Sequence, residues 1–384
     1  MMNAEEFFNR LEEHLQQDKP FAAWHDPGSG RGMTTALLQD DASENLVDDF
    51  NESGFVFAPF QNDLPTYIIP QEKAEFLQTE YSGFIDHEKA LEKESPDFPP
   101  EQFIQKEKSA HENLVQKGID EIKAGAFKKV VLSRKEEVET QLGPLEIFKD
   151  LLKKYKEAFV YIWFHPKTDI WLGATPETLL KVERNKFKTM ALAGTQAFKG
   201  ITDVTWGKKE IEEQKIVTDF ILENVEKVTI GKVDRSEAYT TKAGNLLHLR
   251  TDIQGDIQPG TSNLKELIMT LHPTPAVCGM PRDIAKQFIL ENENYDREFY
   301  TGFLGELNFK KETKRSSNRR NQENQAYASI SSSTSLFVNL RCMKIEDDEA
   351  EIFVGGGITK DSDPVQEFEE TQNKAQTIKA VLVK

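Results

Sequence analysis

EIFVGGGITKDSDPVQEFEETQNKA, residues 351–375, runs from an apolar strand into three glycines and then into a helix led by proline. Glu351–Val354 reads as the strand, and Gly355, Gly356 and Gly357 follow it. Pro364 suits the first turn of a helix, where its missing N–H is not needed. That helix is expected to run to about Val381. Glu367 and Glu370 stand three residues apart and so share one face of it. Lys374 lies one turn further on. A glycine run lets backbone approach a ligand closely and offers N–H groups to an anion, although it is more often an ordinary turn.

A second helix repeats the carboxylate spacing. Lys208–Lys227 carries Glu210 and Glu213 on one face. Two such helices brought together would hold a hard cation through oxygen ligands, with water completing an octahedron. The spacing alone fits solvated glutamates better, since any acidic protein offers such pairs. Lys374 likewise reads either as a surface ion pair with Glu370, worth about 0.3–0.5 kcal/mol, or as a cation facing a substrate carboxylate.

Around these helices the chain alternates strands and helices. Helices are expected at Ala4–Gln16, Glu101–Ala124, Pro144–Tyr155, Asn263–Leu271 and Pro281–Leu290 from apolar positions near a 3.6 period. Strands are expected at Phe21–His25, Phe55–Pro59, Tyr67–Pro70, Lys129–Val138, Phe159–Phe164, Ile170–Gly173, Phe187–Gly194, Phe303–Phe309 and Ser335–Glu346. Ser95–Pro100 (SPDFPP) reads as a linker. Lys310–Ser333, rich in Ser, Asn, Arg and Gln, reads as an exposed hairpin extension or a mobile loop. Gly28, Gly30 and Gly32 in GSGRG form a turn and match neither phosphate-binding spacing. The pattern is α+β, or mixed α/β. Residues 1–95 are taken as a strand-rich part of the same unit, and 96–384 as the region that carries the chemistry.

The chain has 384 residues and a formal net charge of -17. Such a charge repels nucleic acid and anionic lipid, so neither is expected as a partner. Cys278 and Cys342 form neither a metal-ligand set nor a disulfide framework. The polar start, MMNAEEFFNRLEEHLQQD, has no secretory apolar core, and no apolar run approaches membrane length. A cytoplasmic location is expected.

Three further residues could carry chemistry. Lys129 begins KVVLSR, and Glu177 sits in GATPETLL after a strand. They could be a base and an acid, or a strand-edge lysine and a helix-start glutamate. His272 in LHPTPAVCGMPR has no second histidine at ligand spacing, so a metal role is not expected. On these grounds alone the reading stops at an α/β protein with a possible divalent-cation site.

Taken in order, several segments resemble the chorismate-utilising enzymes, which include isochorismate and salicylate synthases and the large subunits of anthranilate and aminodeoxychorismate synthases. The segments are KVVLSR (129–134), GATPETLL (173–180), ALAGT (191–195), KEIEEQKIV (209–217), LHPTPAVCGMPR (271–282), YTGFLGELN (300–308), LFVNLRC (336–342) and GGGITKDSDPVQEFEETQNKA (355–375). They span about 250 residues. Gln214, where many members have histidine, and Thr175, where serine is common, depart from the pattern.

The resemblance implies layered antiparallel sheets with outer helices and a central cleft. It implies that Glu213 and Glu370 bind Mg²⁺, with Glu210 and Glu367 behind them or acting through water. Arg341, Lys374 and the backbone N–H near Gly355 would receive the carboxylates of chorismate. Tyr300, Gly194 and Thr195 would line the pocket, with His272 beside the ring. Ammonia-using members carry glutamine where this chain has Lys129, and water-using members carry lysine as general base. The implied activity is therefore that of an isochorismate synthase: water attacks C2, Lys129 takes its proton, and Glu177 protonates the departing C4 hydroxyl. That requires a neutral amine and a protonated carboxyl in a closed site. Such an enzyme serves menaquinone or catechol siderophore synthesis, needs no amidotransferase subunit and is expected to act as a monomer. The rival readings are a salicylate synthase, which goes on to eliminate pyruvate, a non-catalytic chorismate binder, and a structural protein with an incidental cation site.

Overall fold

The aromatic strand Phe159–His165 shows why the molecule is layered. All seven of its residues are buried. Successive side chains of a strand point to opposite faces, so both faces of this one must be covered. Phe159, Tyr161 and Trp163 join an aromatic cluster with Trp24, Phe55, Phe57, Trp171 and Phe337. Val160, Ile162 and Phe164 point the other way, into a cluster with Phe7, Leu11, Phe148 and Ile378. The first cluster lies between two sheets, and the second lies between one sheet and its helices.

The computed structural model describes residues 2–29, 32–81, 101–257, 261–313 and 329–382. The linker expected at Ser95–Pro100 falls outside these. One sheet runs, in spatial order, Gly279–Met280 (β14), Lys129–Glu139 (β6), Glu349–Ile358 (β18), Cys342–Glu346 (β17), Asp169–Thr175 (β8), Phe159–His165 (β7), Phe21–His25 (β1), Met33–Gln39 (β2) and Ala74–Glu80 (β5). The other runs Thr229–Arg235 (β11), Leu246–Ile257 (β13), Lys186–Ala197 (β10), Thr178–Glu183 (β9), Ser329–Val338 (β16), Phe303–Thr313 (β15), Gly54–Ala58 (β3) and Tyr67–Pro70 (β4), with Tyr239–Ala243 (β12) beside β13. Every described pairing is antiparallel. The fold is α+β, and strands from the first eighty residues pair into both sheets.

Helices cover the outer faces. Ala4–Gln16 (α1), Pro144–Lys154 (α3) and Pro364–Lys379 (α7) pack on the first sheet. Lys208–Val228 (α4) and Thr261–Leu271 (α5) pack on the second through Val217, Phe220, Ile221, Leu267 and Ile268. Glu101–Ala124 (α2) and Arg282–Asn292 (α6) flank the β6 end through Val115, Ile119, Ala285 and Ile289. Among the described residues no helix is long and apolar enough to cross a membrane.

Three expectations are corrected. Ser335–Glu346 is not one strand. It breaks at Asn339–Arg341, and its halves enter different sheets. Buried Asn339 holds that corner, accepting from the Tyr161 hydroxyl at 2.5 Å and donating to Phe299 O at 2.9 Å. Gly355–Gly357 do not form a turn but continue β18, paired with Ser133, Leu132 and Val131. Glu177 does not start a helix; it lies in the turn between β8 and β9. The hairpin ladder at Lys310 continues to Thr313, which pairs with Ser329; residues 314–328 lie outside the described set.

Phe148 on α3 is fully buried and meets Phe8 of α1 edge-on at 6.3 Å between ring centres. Phe148→Ala should cost about 3–5 kcal/mol in denaturant unfolding, because the cavity it leaves can close only partly. A loss well under that range would mean that α1 and α3 are not held as described.

Candidate active site

β6 and β18 lie side by side where α4 and α7 approach, and the glycines of β18 make room for acidic side chains. A Cβ on Gly357 would fall 2.3 Å from Glu213 Oε1 and 2.9 Å from Lys129 Cε. One on Gly356 would lie 3.3 Å from Glu367 Oε2 and 3.9 Å from Glu370 Oε1. Carboxylates from α4 and α7 thus occupy the space that side chains would need.

Each of these acids is paired with a lysine. Lys129 Nζ lies 2.8 Å from Glu213 Oε1, at an angle that makes no directed hydrogen bond. Lys374 Nζ lies 2.7 Å from Glu370 Oε1 and donates to Gly355 O at 2.9 Å. Lys209 donates to Glu367 Oε1. Burial would raise the Glu370 pKa, but Lys374, Lys209 and the Thr195 hydroxyl hold it below the ordinary value. Glu367 is raised, by burial first and by neighbouring Glu370 as well. Its second oxygen, Oε2, is buried without a hydrogen-bond partner.

Glu177 is different. Burial pushes its carboxyl up to about 8, against the pull of Lys129, Lys374 and Arg341. It therefore keeps its proton at neutral pH. Its backbone is tied on both sides, N–H to Thr175 Oγ1 at 3.2 Å and C=O to Val338 N–H at 3.0 Å.

Arg341 points into the same cavity from the corner between the sheets, with φ +49°. It donates to Ala243 O at 2.9 Å and to His248 Nε2 at 2.8 Å. Burial lowers it to about 10, so it stays charged at neutral pH. His248 is pushed down to about 3 by burial and by Arg341. It is neutral, with Nδ1–H donating to Gly194 O at 2.8 Å and Nε2 free to accept from the arginine. This histidine therefore aims the guanidinium. Nothing in the local sequence singles it out, since polar residues interrupt the pattern of strand β13. The reach of Lys209 across to Glu367 on α7 is likewise not visible in local spacing.

The cavity enclosed here is lined by Glu177, Gly194, Thr195, Glu213, Tyr300, Arg341, Gly355, Glu370 and Lys374, among others. Lys129 stands behind the Glu213 wall with no exposed surface. Tyr300 is buried and stacks on Phe353, ring centres 5.5 Å apart. Two expected residues stand apart. Glu210 folds back on its own helix start, its Oε2 only 2.5 Å from where a Gly207 Cβ would be, as a carboxylate does beside the positive end of a helix. His272 does not line this cavity: its Nε2 meets Pro59 O at 3.1 Å and its ring packs on Phe303. A larger groove, about 1480 Å³, lies near Trp24, Phe76 and Phe309, and none of the expected site residues lines it.

Oxygen donors in this arrangement suit a hard cation. Mg²⁺ takes one or two carboxylates and fills its remaining positions with water and substrate. Glu213, Glu370 and the Glu367 Oε2 atom are the groups that could hold such an ion. Among the described residues no three carboxylate, imidazole or thiol side chains form a ready-made cage; lysines neutralise the acids instead.

The Glu177 shift carries a stability consequence. Its ordinary value is 4.5 and its folded value about 8. The native state keeps the proton longer than the unfolded chain does. The contribution is thus fully present below the ordinary value and is lost as pH rises through the folded one. Denaturant unfolding from roughly pH 5 to pH 9 should show a decline that is flatter in Glu177→Gln; identical slopes in the two proteins would contradict the burial described.

The chorismate binding enzyme family matches residues 66–316, and a second profile with the same description matches residues 326–380. Isochorismate synthase MenF of Pasteurella multocida is 28% identical over 287 residues, covering 70% of this chain and 60% of that protein. Anthranilate synthase component 1 of Thermococcus kodakarensis is 28% identical over 276 residues, covering 69% and 58%. The chain thus spans about three-fifths of the length of these relatives. The solved structure of the menaquinone-specific isochorismate synthase MenF from Escherichia coli superposes with a TM-score of 0.71 at 20% identity, covering 95% of this chain and 89% of that one, and shares the fold. With a family match over more than half its length, and with an acid-and-lysine cavity where its two sheets and two helices meet, this chain belongs to the chorismate binding enzymes.

Proposed function

We propose that the chain is an isochorismate synthase that uses Mg²⁺ to convert chorismate reversibly to isochorismate. The observation that carries this reading is the pairing of opposite acid–base characters around one cavity: Glu177 holds its proton at neutral pH, and Lys129 supplies an amine where ammonia-using relatives are expected to have glutamine. Arg341 and Lys374 provide cations for the two substrate carboxylates, so a chain of net charge -17 can accept a dianion.

In the reaction, water adds its oxygen to C2 and gives up a proton to Lys129. The ring double bonds shift. The C4–oxygen bond breaks as Glu177 donates its proton, and the hydroxyl leaves as water. Atoms balance, and the return path exchanges the two roles. Lys129 is enclosed and paired with Glu213, so its base role requires that pair to open when substrate enters and the ammonium to release its proton to solvent before water adds. A cation held by Glu213 and Glu370 would supply positive charge to the ring carboxylate. His248 keeps Arg341 aimed into the cavity, and the buried walls exclude bulk water that would quench the acid.

Incubation of the protein with chorismate should give isochorismate when Mg²⁺ is present and no turnover with chelator. Lys129→Ala and Glu177→Gln should each lose roughly 10²–10⁴-fold in kcat. Wild-type activity should fall as pH rises through about 8, where Glu177 loses its proton. Salicylate with pyruvate would instead identify a lyase, and near-normal turnover in either variant would overturn the assigned roles.

A further inference from the structure

The edge of β6 that carries Lys129 is only briefly covered. β14 is two residues long and pairs Met280 with Lys129 and Gly279 with Val130. Val131 N–H still reaches Cys278 O at 2.8 Å. Beyond that the neighbouring backbone turns away, and side chains take over the ladder. Arg297 Nη2 donates to Val131 O at 2.8 Å. Glu293 Oε1 accepts from Ser133 N–H and from Ser133 Oγ–H, both at 2.8 Å. The two side chains are joined by a fork, Nε to Oε2 at 2.7 Å and Nη2 to Oε1 at 2.6 Å. They are 1% and 2% exposed.

The same guanidinium continues to the cavity wall. Arg297 Nη1 donates to Val277 O at 3.0 Å and to Thr301 Oγ1 at 3.3 Å. Val131, Val277, Tyr300 and Thr301 all line the cavity. A buried ion pair is weak evidence of stability, because desolvation offsets most of the attraction. A planar fork, however, fixes direction and distance in a way that apolar packing does not.

We propose that Glu293 and Arg297 are positioning residues: together they stand in for a missing strand and set the register of β6, and so the place of Lys129 relative to Glu177. This deepens the isochorismate synthase reading and rests on it for its kinetic part. The pair touches neither substrate nor cation. It acts by holding one wall of the cavity at a fixed distance from the other.

Charge-conserving variants separate geometry from charge. Glu293→Asp keeps the carboxylate but withdraws it from Ser133. Arg297→Lys keeps the cation but cannot reach Val131 O, Val277 O and Glu293 at once. Each should lower kcat roughly 10- to 100-fold with KM for chorismate changed less than about threefold. Phe148→Ala, at least as destabilising but remote, should leave kcat nearly unchanged. Hydrogen exchange at the Ser133 amide should speed up in Glu293→Asp relative to the Trp163 amide in β7. Retained kcat in both charge-conserving variants, or an equal loss in Phe148→Ala, would overturn the proposal. So would unchanged Ser133 exchange in Glu293→Asp. That last readout needs no turnover: if the wild-type protein does not act on chorismate, the functional reading fails while the exchange result still decides the positioning role.

Discussion

Carboxylates do not sit in protein interiors unless something neutralises them. Here Glu367 and Glu370 lie beside Gly356 and Glu213 beside Gly357, and each is brought there with a lysine, Lys209, Lys374 and Lys129 in turn. Those lysines come from β6, α4 and α7, so the charge pairing locks together elements from both sheets' outer layers. The glycines of β18 follow from the same constraint. Any side chain at 357 would occupy the position of the Glu213 carboxylate.

Glu177 marks the other solution to burial. With cations nearby but none paired to it, the carboxyl stays protonated at neutral pH rather than charged. One cavity thus contains acids of two kinds, Glu370 held in its charged form by Lys374 and Lys209 and Glu177 kept neutral by desolvation. Divergent environments for like groups are how a single site obtains both an electrostatic anchor and a proton donor. His248 extends the pattern on the opposite sign: it is kept neutral so that it can accept from Arg341 rather than repel it.

Much of this was legible before any coordinates. Strands with apolar runs, such as Phe159–Phe164, and helices with clear period, such as Pro144–Tyr155, were read to within a residue or two, because local pattern and burial agree there. Met33–Gln39 was missed because its TTALLQ run carries no alternation, being buried on both faces. β11 and β13 were missed because polar residues interrupt them. The split at Asn339–Arg341 depends on contacts with Tyr161 and Phe299, remote in sequence. The i, i+3 acids directed attention to α4 and α7, but spacing could not reveal that Glu210 turns back to its own helix start, nor that His272 packs against Phe303 away from the cavity. The Glu293–Arg297 fork bonds to backbone more than 140 residues away in sequence, so no local signal points to it.

If the chain acts as proposed, these lysine-paired acids form a cation site. Calorimetric titration of Mg²⁺ into chelator-treated protein tests this directly. One saturable site per chain is expected, and it should vanish when Glu213→Gln and Glu370→Gln are combined in a chain that remains folded. Absence of saturable binding in the unaltered chain, or binding undiminished in the double variant, would contradict it.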